Sequence, residues 1–207
     1  MSLFFYYILI QPSTFTLYLV PTMNDANPFK TISSKELYEN PWIRLVEDQI
    51  LKPDGEPGIY GKLHFNNYAL GIVAVSENMD IWLVGQYRYV LKSYSWEIPT
   101  GGGSREAPPL EGAKRELREE TGFTANRWEA LIRIHLSNSV TDEYGMVFFA
   151  EELTIGPTEF DDTEILEIKR MPFADALKMV MNGEITDSMS VTGILAAANK
   201  WGILNQR

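Results

Sequence analysis

Four residues in one short run have the types and spacing to do chemistry: Arg115, Glu116, Glu119 and Glu120, within Arg-Glu-Leu-Arg-Glu-Glu. On a helix, at about 100° per residue, the three glutamates fall on one arc roughly 100° wide, with Glu116 and Glu120 at i, i+4. Their mutual repulsion costs an isolated helix roughly a few tenths of a kcal/mol per pair. Hard divalent cations, which take oxygen ligands, reverse the sign of that interaction. Arg115 lies on the flank of the arc, placed to hold one carboxylate in orientation. The competing reading of the same residues is a solvated acidic face with i, i+4 pairs.

The elements that must position these side chains can be read around them. Pro108 and Pro109 suit the first turn of a helix, where a missing N–H costs nothing. Gly122 suits a left-handed C-terminal cap. Between them Leu110, Ala113 and Leu117 share a stripe that can face a core. Just upstream, the chain reads as the end of a strand at Trp96 followed by a glycine-rich loop through Gly101, Gly102 and Gly103. Residues 69–75 form a near-continuous apolar run, the pattern of a strand buried on both faces, and a turn at 77–80 leads into a strand over 81–89. Downstream, strands are predicted over 129–135, 145–150 and 165–170, with a polar loop at 137–143 and an acidic one at 159–164. A helix over 174–182, stopped by Gly183, precedes a second one capped by Asp187 or Ser188. In that last helix Ile194, Leu195, Ala198 and Trp201 repeat at helical spacing and read as structural.

Residues 27–65 read as strands and turns: 42–46 and 48–51 extended, Pro53-Asp54-Gly55 a turn, and 60–65 the return strand. Residues 1–22 are apolar and aromatic, but Gln11-Pro12-Ser13-Thr14 breaks the run too early for a membrane-spanning helix. Basic residues at the start and small residues at a cleavage point, which a signal peptide needs, are missing. This leader is read as non-native or as a start-site extension ahead of Met23.

Composition removes several function classes. At 207 residues and 45% hydrophobic content the chain suits one domain, or one domain with an arm, around a sizeable core. A formal net charge of −10 argues against a general nucleic-acid surface and against binding to anionic membranes. An anionic substrate would need metal ions or local arginines to approach. The sequence has no cysteine, which excludes disulfides, thiolate zinc sites and cysteine nucleophiles. Its two histidines, His64 and His135, read as structural or surface residues rather than as a multi-histidine metal centre. The inventory fits a cytoplasmic enzyme that uses an oxygen-ligated metal.

The order glycine, loop, helix, Arg-Glu-x-x-Glu-Glu-x-Gly closely resembles the signature of the Nudix hydrolases, with Gly101, Arg115, Glu116, Leu117, Glu119, Glu120, Gly122 and Phe123 in register. One position departs: the first glutamate of the pattern is Ala107 here, with Glu106 a single residue away. Tyr38-Glu39-Asn40-Pro41-Trp42, Gln86-Tyr87-Arg88 and Trp96-Glu97-Ile98-Pro99 are similar to the ADP-ribose pyrophosphatase and nucleoside diphosphate sugar hydrolase branch of that family. The resemblance implies an α/β fold, an α/β/α sandwich around a mixed β-sheet with an N-terminal β arm. It divides the chain into the leader over 1–22, a dimer-forming arm over 23–65 and a Nudix hydrolase domain over 66–207.

The resemblance also assigns roles. Glu116, Glu120 and the Thr100 backbone carbonyl would hold Mg²⁺ or Mn²⁺, with Glu119 completing or orienting the shell beside Arg115. Substrate contacts are implied for Arg88, whose guanidinium fork suits phosphate oxygens, for Glu97, and for Glu143, which would reach toward the pyrophosphate. Trp42 could stack on a nucleobase or serve as core or interface. A general base is implied in the acidic segment, Glu164 first, with Glu159 and Asp162 as rivals. The implied activity is metal-dependent hydrolysis of the pyrophosphate of a nucleoside diphosphate derivative, ADP-ribose or an NDP-sugar, to a nucleoside monophosphate and a sugar phosphate. The implied enzyme is a homodimer that engages neither nucleic acid nor membrane. The alternative is a non-catalytic nucleotide-sensing module on the same fold, for which Ala107 is the main support.

Overall fold

The computed structural model describes residues 26–156 and 165–205; the leader over 1–22 and the base candidates Glu159, Asp162 and Glu164 lie outside them. Three strands, β1 (Lys30–Glu39), β2 (Ile43–Leu51) and β3 (Pro57–Phe65), form an antiparallel sheet in that order. β1 was not among the predicted strands, and it is exposed along its whole length. With no face buried, its sequence carries no apolar alternation to read. β2 does bury one face, through Val46, Asp48 and Ile50. The Asp48 carboxylate accepts from Ser34 Oγ at 2.7 Å and meets Lys62 Nζ at 2.5 Å, so its neighbours on both sides hold it.

The body of the molecule follows as β4 (Asn67–Ala74), β5 (Asp80–Arg88), β6 (Ser93–Glu97), β7 (Thr100–Ser104), α1 (Pro109–Thr121), β8 (Phe123–His135), β9 (Tyr144–Ile155), β10 (Glu167–Pro172), α2 (Phe173–Met181) and α3 (Ser188–Lys200), with a 3-10 turn at Ile203–Asn205. β4 lies between β7 and β9 in a mixed four-stranded sheet ordered β7-β4-β9-β8, parallel to β9 and antiparallel to β7. An antiparallel sheet ordered β10-β5-β6 accompanies it.

Successive side chains of β4 point to opposite faces, and both faces are covered, as its apolar run requires. Leu70, Ile72 and Ala74 join Phe148 and Ala150 against Ala113 and Leu117 of α1. Val73 and Val75 join Ile81, Leu83, Ile98, Val147 and Phe149 against Phe173 of α2 and Ile194, Ala197 and Ala198 of α3. The result is the α/β/α layering, with α1 on one side of the mixed sheet and the other two helices on the opposite side.

The predicted glycine-rich loop is instead an edge strand. Gly101, Gly102 and Gly103 pair with Leu70, Ala69 and Tyr68, and glycines, having no side chains, leave no periodicity by which a strand can be recognised. The N-terminal sheet is fastened to the body through β3. Leu63 N donates to Val140 O at 2.9 Å, Asp142 N to Leu63 O at 3.2 Å, and the Tyr60 hydroxyl to Ser139 O at 2.9 Å. Among the described residues no helix is long and apolar enough to cross a membrane.

Candidate active site

The geometry of the acidic helix follows from its ends and its buried stripe. α1 opens on Pro109 and closes on Gly122, whose φ of 72° is the left-handed cap conformation, with its N–H donating to Arg118 O at 2.8 Å. With Ala113 and Leu117 turned fully into the core, Glu116 and Glu120 are carried against β7 and are themselves buried, 9% and 4% exposed. Thr100 N donates to Glu120 Oε2 at 2.9 Å. Glu116 lies over Gly101, where a Cβ would stand 2.0 Å from its carboxyl carbon; only glycine lets strand and carboxylate approach so closely.

Arg115 closes this arrangement from the solvent side. Its Nη2 donates to Glu116 Oε1 at 2.5 Å and to Gly102 O at 2.7 Å, and its Nη1 to Glu119 Oε2 at 2.6 Å. Burial works against the guanidinium charge, but Glu116 and Glu119 outweigh it and hold the Arg115 pKa above the usual arginine value. Arg115, Glu116, Glu119, Glu120 and Thr100 are thus brought together.

The second wall is the β5–β6 hairpin. Glu97, buried in the body, accepts from Arg88 Nε at 2.9 Å and from Arg88 Nη2, and Nη2 also reaches Thr100 Oγ1 at 3.5 Å. The Glu97 hydrogen bond raises the Arg88 pKa against opposing burial, and the charges of Asp187 and Glu120 add to it. Two residues expected as separate substrate contacts are therefore one bidentate pair, with Arg88 Nη1 still able to meet an anion.

Glu143 stands where the loop enters β9. Burial raises its pKa, and the charges of Asp187 and Asp142 push the same way. The adjacent acid goes in the opposite direction. Burial would raise Asp142, but His64, with Nδ1 at 2.7 Å, and the Phe65 N–H at 2.9 Å hold it below the usual carboxylate range. Asp187 is the site neighbour that the sequence did not mark. It caps α3, accepting from Ser190 N at 2.8 Å and Ser190 Oγ at 2.7 Å, and its charge reaches both Arg88 and Glu143. A cap before a helix is fully explained by structure, so nothing local in the sequence signals a second role.

Trp42 is not core: it is 67% exposed at the turn between β1 and β2. Among the described residues no hydrogen bond or ring contact joins its side chain to the cluster. Glu164 lies outside the described residues.

The donor set suits a hard divalent cation. Glu116 and Glu120 offer carboxylate oxygens on one side of β7, beside the backbone of Thr100. Among the described residues no three His, Cys, Asp or Glu side chains are already gathered around one point. A cation between the two glutamates would therefore draw its remaining ligands from the Thr100 carbonyl, water and substrate oxygens, the usual manner for Mg²⁺.

Residues 66–188 match the family model described as the NUDIX domain, and residues 29–63 match the one described as the nucleoside diphosphate sugar hydrolase N-terminal domain. An ADP-ribose pyrophosphatase of Mycobacterium tuberculosis is 35% identical over 173 residues, spanning 81% of this chain and 82% of that protein. An ADP-ribose pyrophosphatase of Bacillus subtilis is 30% identical over 167 residues, spanning 80% and 90%. A solved structure described as an ADP compounds hydrolase superposes with a TM-score of 0.76 over 86% of this chain and 96% of that one at 20% identity, a likeness of fold. With its signature helix, its glycine-bearing edge strand and a family match across more than half its length, the chain belongs to the Nudix family and is a Nudix hydrolase.

Proposed function

We propose that this hydrolase cleaves the pyrophosphate bond of a nucleoside diphosphate derivative, ADP-ribose ahead of other nucleoside diphosphate sugars, releasing a nucleoside monophosphate and a sugar phosphate. The observation that carries the reading is the convergence of buried Glu116 and Glu120 on the Thr100–Gly101 backbone. Support for the substrate class comes from the match over 29–63 and from relatives named for ADP-ribose.

Glu116, Glu120 and the Thr100 carbonyl would hold Mg²⁺ or Mn²⁺. A divalent ion there supplies neutralisation of phosphate charge and a more acidic water. The chain's own residues do the rest. Arg88, braced by Glu97, presents Nη1 to a phosphate oxygen, and Arg115 keeps Glu119 aligned beside the pair. Glu143, with its raised pKa, can donate a hydrogen bond to the pyrophosphate when protonated. Glu164 serves as general base if it comes within about 3 Å of the attacking water, or one water further away.

The N-terminal sheet exposes Ile32, Leu37, Tyr38, Trp42 and Ile59, a surface suited to a second copy of the chain. Trp42 would then stack on the base within a cytoplasmic homodimer. The competing sensor reading leans on Ala107, which sits in the exposed turn before α1, outside the hydrogen-bonded set.

Incubation with ADP-ribose and Mg²⁺, followed by identification of products, separates the two. Release of AMP and ribose 5-phosphate is expected. Tight binding of ADP-ribose and its analogues with no turnover in Mg²⁺ or Mn²⁺ would make the protein a sensor.

A further inference from the structure

The two walls of the site meet in one short crossover, Glu97, Ile98, Pro99 and Thr100. Its first residue holds Arg88, and its last donates a backbone N–H to Glu120. Pro99 has no N–H of its own, and its carbonyl accepts from Ile72 N at 2.9 Å. The Ile98 N–H is paired with a side chain rather than with a neighbouring strand: it donates to Ser190 Oγ at 2.9 Å. Ser190 is completely buried, and its own hydroxyl donates a hydrogen bond to Asp187 Oδ2 at 2.7 Å.

Capping α3 does not require this relay. The cap is already made by the Ser190 N–H donating to Asp187 Oδ2 at 2.8 Å. In the reciprocal capping box a longer side chain at this helical position would turn back to the cap residue's own N–H. Serine instead reaches out of the helix to the crossover. Ile98 is locked at the same place by its side chain, fully buried in the core cluster that also holds Met189 and Ile194. Leaving its amide without an acceptor in that interior is costly, so the crossover follows the first turn of α3.

We propose that Ser190 and Asp187 are positioning residues for the active site. The relay from the Ile98 N–H through Ser190 to Asp187 sets the Glu97–Thr100 crossover against α1, and with it the spacing between the Arg88 fork and the Glu116–Glu120 carboxylates. The inference rests on the hydrolase reading for its consequence in catalysis, but it has readouts that do not need turnover.

The test uses the full chain. Ser190→Ala removes the acceptor of the Ile98 N–H while keeping the backbone cap. The Mg²⁺ concentration for half-maximal hydrolysis of ADP-ribose should rise about tenfold, the scale on which residues supporting metal ligands act. kcat should fall by a similar factor, with KM for ADP-ribose less affected. The Ile98 amide, followed by NMR, should exchange with solvent faster than in the wild type. Ile50→Val, a buried change in β2 outside both core clusters, controls for lost stability: it lowers Tm, should leave the Mg²⁺ response unmoved, and should raise Ile98 exchange no further than its loss of global stability requires. Asp187→Asn keeps a capping acceptor but removes the charge, and should shift the Mg²⁺ response by about threefold. It also decides the matter if Ser190→Ala does not fold.

An unchanged Mg²⁺ response in the folded relay variants, or an equal shift in Ile50→Val, overturns the proposal. If the wild type turns over no nucleoside diphosphate derivative, the hydrolase reading falls on its own. Mn²⁺ binding followed by electron paramagnetic resonance then reads the relay directly: weaker binding in Ser190→Ala supports it, and equal binding overturns it.

Discussion

The two walls of the site hold buried carboxylates by different means. On the sheet wall, both oxygens of Glu97 are taken by the fork of Arg88. On the helix wall, Glu116 and Glu120 are buried almost as deeply, but their partners include the guanidinium of Arg115, whose side chain is 45% exposed, and the backbone N–H of Thr100. An unpaired buried charge is costly, and each wall meets that cost differently. The bidentate Arg88–Glu97 pair is part of the framework. Arg115 stands on the solvent side of Glu116 and Glu119, and in the proposed hydrolase its guanidinium would yield its place on Glu116 to a divalent ion. Under the proposed function, the contrast would separate an acid that braces the site from acids that exchange a protein partner for a cation.

The largest expected effect lies on the helix wall. Glu116→Gln and Glu120→Gln preserve shape and one acceptor oxygen but remove the charge that a cation needs. Loss of several kcal/mol of cation-assisted stabilisation corresponds to a fall in kcat/KM on the order of a thousandfold, while thermal stability should hold or rise as repulsion is relieved. Steady-state kinetics and calorimetry on the same preparations check both halves. A Glu120→Gln enzyme with full turnover would erase the distinction between the walls.

Next comes the framework pair. Arg88→Ala strands a buried carboxylate and should cost about 3 kcal/mol in urea unfolding, toward the lower end of the range for a broken buried pair because the arginine is partly solvated. Adding Glu97→Gln to the same chain should recover much of that loss, and failure to do so would show that the pair is not what holds the hairpin. Arg115→Ala, which takes one partner from buried Glu116 and one from the more exposed Glu119, should cost somewhat less, roughly 1–3 kcal/mol. Its effect should show also as an altered Mg²⁺ dependence of hydrolysis.

The smallest effects sharpen a second contrast, between neighbouring acids of the same loop. The Glu143 pKa is raised in the folded protein, so its contribution is fully present below the unfolded value and is lost as pH rises through the folded one. Glu143→Gln should therefore gain stability relative to the wild type as pH rises from acid, below the unfolded glutamate value, toward neutral. The Asp142 pKa is lowered, so its contribution is present above the unfolded value and disappears as pH falls through the folded one. Asp142→Asn should be the weaker protein at neutral pH and draw level in acid. Paired Tm measurements across that range check both signs, and parallel curves for the two variants would contradict the assignment.

What could be read from the sequence was what its local chemistry dictates. Pro108, Pro109, Gly122 and the Leu110, Ala113, Leu117 stripe gave α1 nearly its true bounds, and the apolar run gave β4 with both faces covered. The motif then placed Glu116, Glu120 and Thr100 together. β1 escaped because a fully exposed strand has no apolar alternation, and β7 because its glycines have no side chains to alternate. The pairing of Arg88 with Glu97 depends on the register of a hairpin in which Val84 faces Glu97, and register is a property of the folded sheet. The Ser190–Ile98 bond spans 92 residues, and no local pattern announces a contact of that range.

The most direct measurement is the anomalous signal of manganese in crystals grown with Mn²⁺ and a non-hydrolysable ADP-ribose analogue. The predicted result is an ion bound by Glu116, Glu120 and the Thr100 carbonyl, with Arg115 turned away from Glu116 and Arg88 still locked to Glu97. Manganese bound elsewhere, with Arg115 still bridging Glu116 and Glu119, would contradict the division between a fixed wall and a cation-ready one.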